Sequence, residues 1–253
     1  MPLRKIQNYY HQMKKDLKTT KTYFQLAFSG NKVDRVTDFS VCKRPVLLIY
    51  GFGATRRVFS ILEKRLRKDG FCVFSINLRG VFDTFNTSCI EDLAQHVHMK
   101  IERLCEKYHL NKISIIGHSK GGLIGHYYVK RLGGEKRVKS LITLGTPHNG
   151  NPLAILGLVT PLALVSKSLW QMFPMSPFIR RLRKGTWPKD VRLTSIYSKN
   201  DNICYYKSSI LTNADEAPYI KNIELPSMTH SDYIIRRAAY HVIRKELLDA
   251  EMN

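Results

Sequence analysis

A serine flanked by glycines is the strongest indication of chemistry in this chain. Gly117-His118-Ser119-Lys120-Gly121 follows the apolar run Ile113-Ser-Ile-Ile and precedes residues at helical spacing, so the G-x-S-x-G pattern falls between a strand and a helix. Glycine is needed at both ends of the pattern because a Cβ would collide with the neighbouring strand or helix. Such a turn exposes the hydroxyl and aims backbone N–H groups at a developing oxyanion. The pattern predicts that Ser119 is a nucleophile.

A serine hydroxyl needs a base that takes its proton and an acid that orients the base. Where the serine lies in such a turn, these partners follow in the order Ser, acid, His. Two of the nine histidines, His148 and His230, follow the serine outside predicted helices. Since His230 lies in a polar loop between the last predicted strand and the last helix, we predict that it is the base.

The acid is expected in the loop after the predicted strand Val191 to Tyr197. Asp201 is the only carboxylate in that loop, Ser198-Lys-Asn-Asp-Asn, whereas Asp190 precedes the strand and Asp215 lies further along. A turn-forming role is the alternative for an aspartate in a polar loop. We predict that Asp201 orients His230.

Two backbone N–H groups are candidates for an oxyanion hole. The N–H of Lys120 follows the nucleophile, and the N–H of Phe52 lies between Gly51 and Gly53, after an early apolar strand. The flanking glycines allow that N–H to turn toward the serine.

Strands and amphipathic helices alternate along most of the chain and would position these groups. This alternation predicts an α/β fold, a doubly wound and mostly parallel sheet with helices on both faces. The Ser88-x-x-Glu91 pattern predicts a capping box at the start of one long helix. The predicted strands are 46–50, 71–76, 113–117, 138–144, 191–197 and 219–225, and the predicted helices include 58–67, 90–108 and 231–248.

Residues 151–187 interrupt the alternation. They contain no strand pattern, and their apolar side chains recur at helical spacing near the predicted site. They form either a helical lid over an acyl pocket or an ordinary pair of core helices. The side chains that would line such a pocket are Leu162, Val165, Leu169 and Phe173.

Residues 1–40 are expected to form a basic helical extension before the α/β domain at 41–253. Leu3, Ile6, Tyr10, Met13 and Leu17 share one helical face, and lysines surround that face. The helix either docks on the domain or lies on an anionic membrane surface.

Composition restricts the partners and the compartment. The net charge is +21, which attracts anionic lipid or nucleic acid, although basic residues do not alternate with stacking aromatics as in strand-based nucleic-acid readers. The five cysteines include no C-x-x-C pair, and their odd number and apolar settings favour a reducing compartment. No signal peptide or membrane-spanning segment is evident, so a cytoplasmic or peripheral membrane protein is expected, with export by another route left open.

Four motifs together resemble lipase-like α/β-hydrolases, above all the triacylglycerol-lipase group and related lipid deacylases, over about residues 44–150. The resemblance implies the roles given above to Ser119, Phe52 and Lys120, and a helical lid at 151–187. It also places His118, Thr146 and His148 in loops near the site. The motifs are Gly51-Phe-Gly53, Asn77-Leu-Arg-Gly80, Gly117-His-Ser-Lys-Gly-Gly122 and Gly145-Thr-Pro-His-Asn-Gly150.

The chain departs from that family at two positions. Tyr50 stands where a histidine is usual, and Lys120 replaces a smaller or amide side chain, which would favour an anionic substrate group. Many secreted members bind structural calcium, but no carboxylate cluster here makes a convincing site, and no metal or organic cofactor is expected.

The expected function is hydrolysis of lipid-type acyl esters through an acyl-enzyme. An acyltransferase or thioesterase with the same residues is the nearest alternative. A non-catalytic binder of anionic lipid or nucleic acid on a hydrolase scaffold is the second.

Overall fold

Six strands form one parallel sheet at the centre of the described part of the chain. The structure, a computed structural model, describes residues 2–31, 37–78, 86–154, 166–212 and 217–252, with side chains from Gln12 onward. The strand order is β2-β1-β3-β4-β5-β6, and every neighbouring pair is parallel. The strands are β1 (Pro45–Ile49), β2 (Cys72–Ser75), β3 (Ile113–His118), β4 (Val138–Leu144), β5 (Arg192–Tyr197) and β6 (Ile220–Glu224).

The central strands are apolar because helices cover both faces of a parallel sheet. Every residue of β1 and of β3 is buried. The α/β fold predicted from the alternation of strands and helices is therefore confirmed. Around the sheet lie α1 (Pro2–Ala27), α2 (Ser60–Lys68), α3 (Ile90–Tyr108), α4 (Lys120–Arg131), α5 (Lys167–Gln171), α6 (Pro177–Arg183), α7 (Tyr206–Ser209), α8 (Asp232–Ile235) and α9 (Arg237–Asp249).

Helix α3 does not begin with the predicted capping box. Its N-cap residue is Cys89, which makes no side-chain capping bond. Instead the Ile90 N–H donates to Oε1 of Gln171 at 2.7 Å. A side chain from α5 thus satisfies the N-terminus of α3, a tertiary contact that a local sequence pattern does not contain.

The predicted closing helix is broken in two. Arg236 has an extended backbone, φ −76° and ψ 144°, between α8 and α9. Its guanidinium forms ion pairs with Asp232, at 2.7 Å, and with Asp16 of α1. The break therefore lies where the C-terminal region is joined to the N-terminal helix.

Two cysteines are bonded, contrary to the expectation of fully reduced thiols. Cys42 and Cys72 form a disulfide between the segment before β1 and the first residue of β2, whereas Cys89, Cys105 and Cys204 are free. Because disulfides persist mainly in oxidising environments, the pair counts against the reducing compartment favoured by the cysteine pattern.

From Gln12 onward, helix α1 packs on the domain through residues outside its predicted apolar face. Thr19 and Ala27 are buried, while Met13 is 41% exposed and Leu17 64% exposed. The side chains of Leu3, Ile6 and Tyr10 lie outside the described ones. The helix therefore turns a polar and aromatic face inward and leaves part of its apolar stripe in solvent.

Candidate active site

Ser119 lies at a strained turn between β3 and α4. Its φ is 55° and its ψ is −126°, a left-handed conformation that costs a non-glycine residue about 1–3 kcal/mol and that the surrounding structure must enforce. A Cβ on Gly117 would lie 2.5 Å from the Gly122 Cα, and one on Gly121 would lie 2.0 Å from the Ile49 carbonyl oxygen. The close approach of strand and helix that raises the serine therefore requires glycine at both positions.

His230 and Asp201 meet beside this turn. Nδ1 of His230 lies 2.9 Å from Oδ2 and 3.1 Å from Oδ1 of Asp201. His230 is 7% exposed, and the side chain of Asp201 is 1% exposed. The loop after β5 and the loop before α8 are thus joined at the carboxyl edge of the sheet, where the sequence predicted both residues.

The surroundings of Asp201 favour its ionised form. Desolvation raises the pKa of this carboxyl, but the charge of His230 and hydrogen bonds outweigh it, so that the pKa lies below its usual value. The N–H groups of Ile203 and Cys204 donate to Oδ1 at 2.9 and 2.8 Å. A carboxylate held in this way accepts a hydrogen bond from a histidine ring and keeps its orientation.

The two predicted oxyanion donors flank Ser119. Lys120 is the first residue of α4, and Phe52 lines the same cavity as Ser119. A Cβ on Gly51 would lie 3.4 Å from the Ser119 Oγ, so the loop after β1 passes close to the hydroxyl. The N-terminus of a helix and an adjacent glycine-flanked loop are the usual sources of such N–H groups.

The side chain of Lys120 is a structural group, which contradicts the expectation that it binds an anionic substrate. It is fully buried, and its Nζ donates to the carbonyl oxygens of Asn86, at 3.1 Å, and Ser88, at 2.7 Å. Burial lowers the pKa of this amine well below its usual value. The amine holds the segment before α3 in place and is not directed at the cavity.

Tyr50, which stands where a histidine is usual in that family, makes hydrogen bonds through its hydroxyl and its carbonyl oxygen. Its hydroxyl accepts the Leu78 N–H at 2.7 Å. Its carbonyl oxygen accepts from Nδ2 of Asn86 at 2.8 Å. A tyrosine therefore joins the end of β1 to the segments after β2 and before α3.

Of the three near-site loop residues, two lie at the site and one does not. His118 Nε2 lies 2.9 Å from the His230 carbonyl oxygen, and Thr146 Oγ1 donates to the Ser119 carbonyl oxygen at 2.9 Å. His148 instead faces His126, with 3.1 Å between their Nδ1 atoms, and contacts Thr143 through Nε2 at 2.9 Å. It lines a different cavity, beside Trp187.

A cavity of about 460 Å³ opens over Ser119 and His230. From the predicted lid it includes Leu169, which is 6% exposed, but not Phe173. Leu162 and Val165 lie outside the described residues. Helix α1 also lines the cavity, through Thr20, Tyr23 and Phe24. The sequence did not predict this contribution, because an aromatic pair in a helix does not show which face of the helix will be buried.

The parallel sheet, with a serine at the sharp turn after β3, defines the α/β-hydrolase class of fold. A family model described as alpha/beta hydrolase fold matches residues 44–175. The chain belongs to this family.

Among curated proteins, the sequence is similar to triacylglycerol lipases. A triacylglycerol lipase of Pseudarthrobacter phenanthrenivorans and one of Burkholderia plantarii are each 27% identical over 123 residues, 46% of this chain. The match covers 37% and 33% of those proteins, so the chain corresponds to about a third of their length.

Solved structures show the same fold at low sequence identity. Aspergillus fumigatus lipase B superposes with a TM-score of 0.71 at 20% identity, over 85% of this chain and 55% of that one. Bacillus licheniformis lipase BlEst2 gives 0.67 at 17% identity, over 86% and 96%.

Two further observations concern the described residues only. None of their helices combines the length and apolarity that a bilayer crossing requires. No three His, Cys, Asp or Glu side chains among them come together in a way that would hold a metal ion.

Proposed function

We propose that this protein is a serine hydrolase of lipid-type acyl esters that uses Ser119, His230 and Asp201. The observation that carries the proposal is the 2.9 Å contact of Asp201 with His230, which lines the same cavity as Ser119. The similarity to triacylglycerol lipases supports an ester as the substrate.

In the proposed reaction, Oγ of Ser119 attacks the ester carbonyl carbon while Nε2 of His230 takes the hydroxyl proton. Asp201 accepts a hydrogen bond from Nδ1–H and stabilises the imidazolium. The N–H groups of Phe52 and Lys120 bind the oxyanion. The proton then passes to the departing alcohol, and water releases the acyl group by the same steps.

The apolar side of the cavity supports a fatty acyl chain as the group that is bound. Leu169, Met172 and Ala154 are buried there and belong to residues 151–187. Burying each CH₂ stabilises a complex by about 0.8 kcal/mol, so such a wall favours long chains. We propose that this segment is a lid over the acyl pocket.

Labelling with a fluorophosphonate, followed by turnover of a series of p-nitrophenyl esters, tests the chemistry. Ser119→Ala should lose labelling and lower kcat by about 10⁴ or more with an unchanged thermal melt. Labelling that survives the substitution would mean another nucleophile, and no labelling of the wild type would favour the non-catalytic binder. Transfer to an added alcohol in preference to water would favour the acyltransferase.

We also propose peripheral binding to anionic membranes. Apolar side chains are exposed on α1 and directly after it, including Leu17 at 64% and Phe28 at 65%. Exposed lysines, among them Lys18 and Lys21, lie on the same helix. Surface cations near an anionic bilayer contribute about 1 kcal/mol each.

Vesicle co-sedimentation across a salt series tests the membrane proposal. Replacing Lys18 and Lys21 by Gln should weaken binding to anionic vesicles, and binding should fall as salt rises because screening shortens the reach to about 8 Å. The matched control replaces Lys100 and Lys107, two exposed lysines of α3. Equal losses in both double variants would show that net charge alone, not α1, attracts the bilayer.

A further inference from the structure

Helix α1 contributes directly to the cavity, although it lies outside residues 44–175 that the family model matches. Thr20, Tyr23 and Phe24 line the cavity together with Ser119. Their spacing of three and four residues places them on one side of the helix. This side therefore faces the nucleophile across the cavity.

Tyr23 is the deepest of these contacts. Its ring lies 5.8 Å from that of His118, the residue before the nucleophile. Desolvation raises the pKa of Tyr23 to about 12, so the phenol stays neutral. Phe24, by contrast, is 54% exposed and stacks on Phe28, with ring centroids 6.5 Å apart. The helix thus presents one ring inside the cavity and one at its mouth.

Polar contacts join α1 to the domain near its middle and near its end. Near its middle, Asp16 forms an ion pair with Arg236, which also donates to the Ser227 carbonyl oxygen at 3.0 Å. Near its end, Thr55 Oγ1 donates to the Leu26 carbonyl oxygen at 3.3 Å. The first contact joins α1 to the loop that carries His230, so the wall and the proposed base share one support.

We infer that α1 forms part of the wall opposite Ser119 in an acyl subsite, where the rings of Tyr23 and Phe24 line the cavity together with Leu169 and Met172 and select long acyl chains. The inference rests on the proposed function. The ligand class is an apolar acyl chain, since this wall presents apolar surface and the described side chains of α1 that line the cavity, Thr20, Tyr23 and Phe24, carry no charge. Aromatic rings supply a large apolar area at little conformational cost.

The test measures kcat/KM of the full chain for p-nitrophenyl octanoate and acetate. Tyr23→Ala and Phe24→Ala should each lower the octanoate-to-acetate ratio by about tenfold or more, because contact with several methylenes is lost. Tyr23→Phe should keep the ratio. Gln25→Ala, at an exposed position of the same helix, is the control.

Labelling by fluorophosphonates with long and short alkyl chains gives a readout without turnover, and the long-chain reagent should lose its advantage in the same two variants. An unchanged ratio, or equal losses on both esters, would overturn the inference while leaving the proposed function intact. Absence of all labelling and hydrolysis in the wild type would overturn both.

Discussion

The two walls of the cavity are built in different ways. The catalytic wall depends on backbone geometry: Ser119 is held at φ 55° by glycines that no larger residue can replace without collision. The opposite wall consists of side chains from α1 and α5, which pack through a few contacts. Under the proposed function, chemistry would depend on a tight turn at the sheet edge, whereas selection of the substrate would depend on side chains that can change without disturbing the turn.

Loss of the Asp201 carboxylate is expected to have the largest effect on catalysis. Asp201→Asn is expected to lower kcat by about 10⁴, because an amide can donate its own hydrogen bond and stabilise the wrong tautomer of His230. Asp190→Asn, at an exposed position before β5, is the matched control. Similar activity in the two variants would assign the acid elsewhere.

Acid should destabilise the fold through three buried histidines, His118 at the active site and His126 and His148 at the neighbouring cavity. Desolvation lowers the pKa of His118 and of His148 to about 3, and that of His126 well below its usual value. Below about pH 6.5 the unfolded chain binds protons that the native state does not, so stability is present above that pH and falls as the pH drops toward 3. Each group contributes up to about 1.4 kcal/mol per pH unit.

Urea unfolding at several pH values between 7.5 and 4.5 measures this effect. His148→Gln should reduce the slope of stability against pH. His241→Gln, at an exposed position of α9, is the control. The same slope in wild type and His148→Gln would show that His148 is protonated in the native state.

The smallest effect is expected from a substitution at Leu169, in the segment proposed as a lid. Leu169→Ala should lower turnover of octanoate esters by about tenfold relative to acetate esters, since a buried apolar contact in the cavity is lost. Its neighbour Trp170 is 57% exposed and does not line the cavity, so Trp170→Ala should change both esters little. Equal losses on both esters in Leu169→Ala would identify an ordinary core helix.

A similar difference, between features set by local sequence patterns and features set by distant contacts, explains which parts of the structure could be predicted from sequence. Strands such as β4, and the elbow at Ser119, follow from local patterns of apolar residues and glycines, and their prediction matched the structure. The start of α3 and the break at Arg236 depend on partners far along the chain, Gln171 and Asp16. For the same reason the pattern of α1 misidentified its packed face, and the Cys42–Cys72 pairing required the positions of two separate segments.

The contact between Asp16 and Arg236 joins residues 220 positions apart, and this separation has a consequence for synthesis. A ribosome adds about 5–20 residues per second. Helix α1 therefore emerges long before its partner, and the wall that it forms beside Ser119 is complete only when the segment carrying both His230 and Arg236 has been made. Until then, a nascent chain would expose the Ser119 turn without His230 and without the complete acyl wall. The proposed ability to cleave esters would therefore arise in one late step.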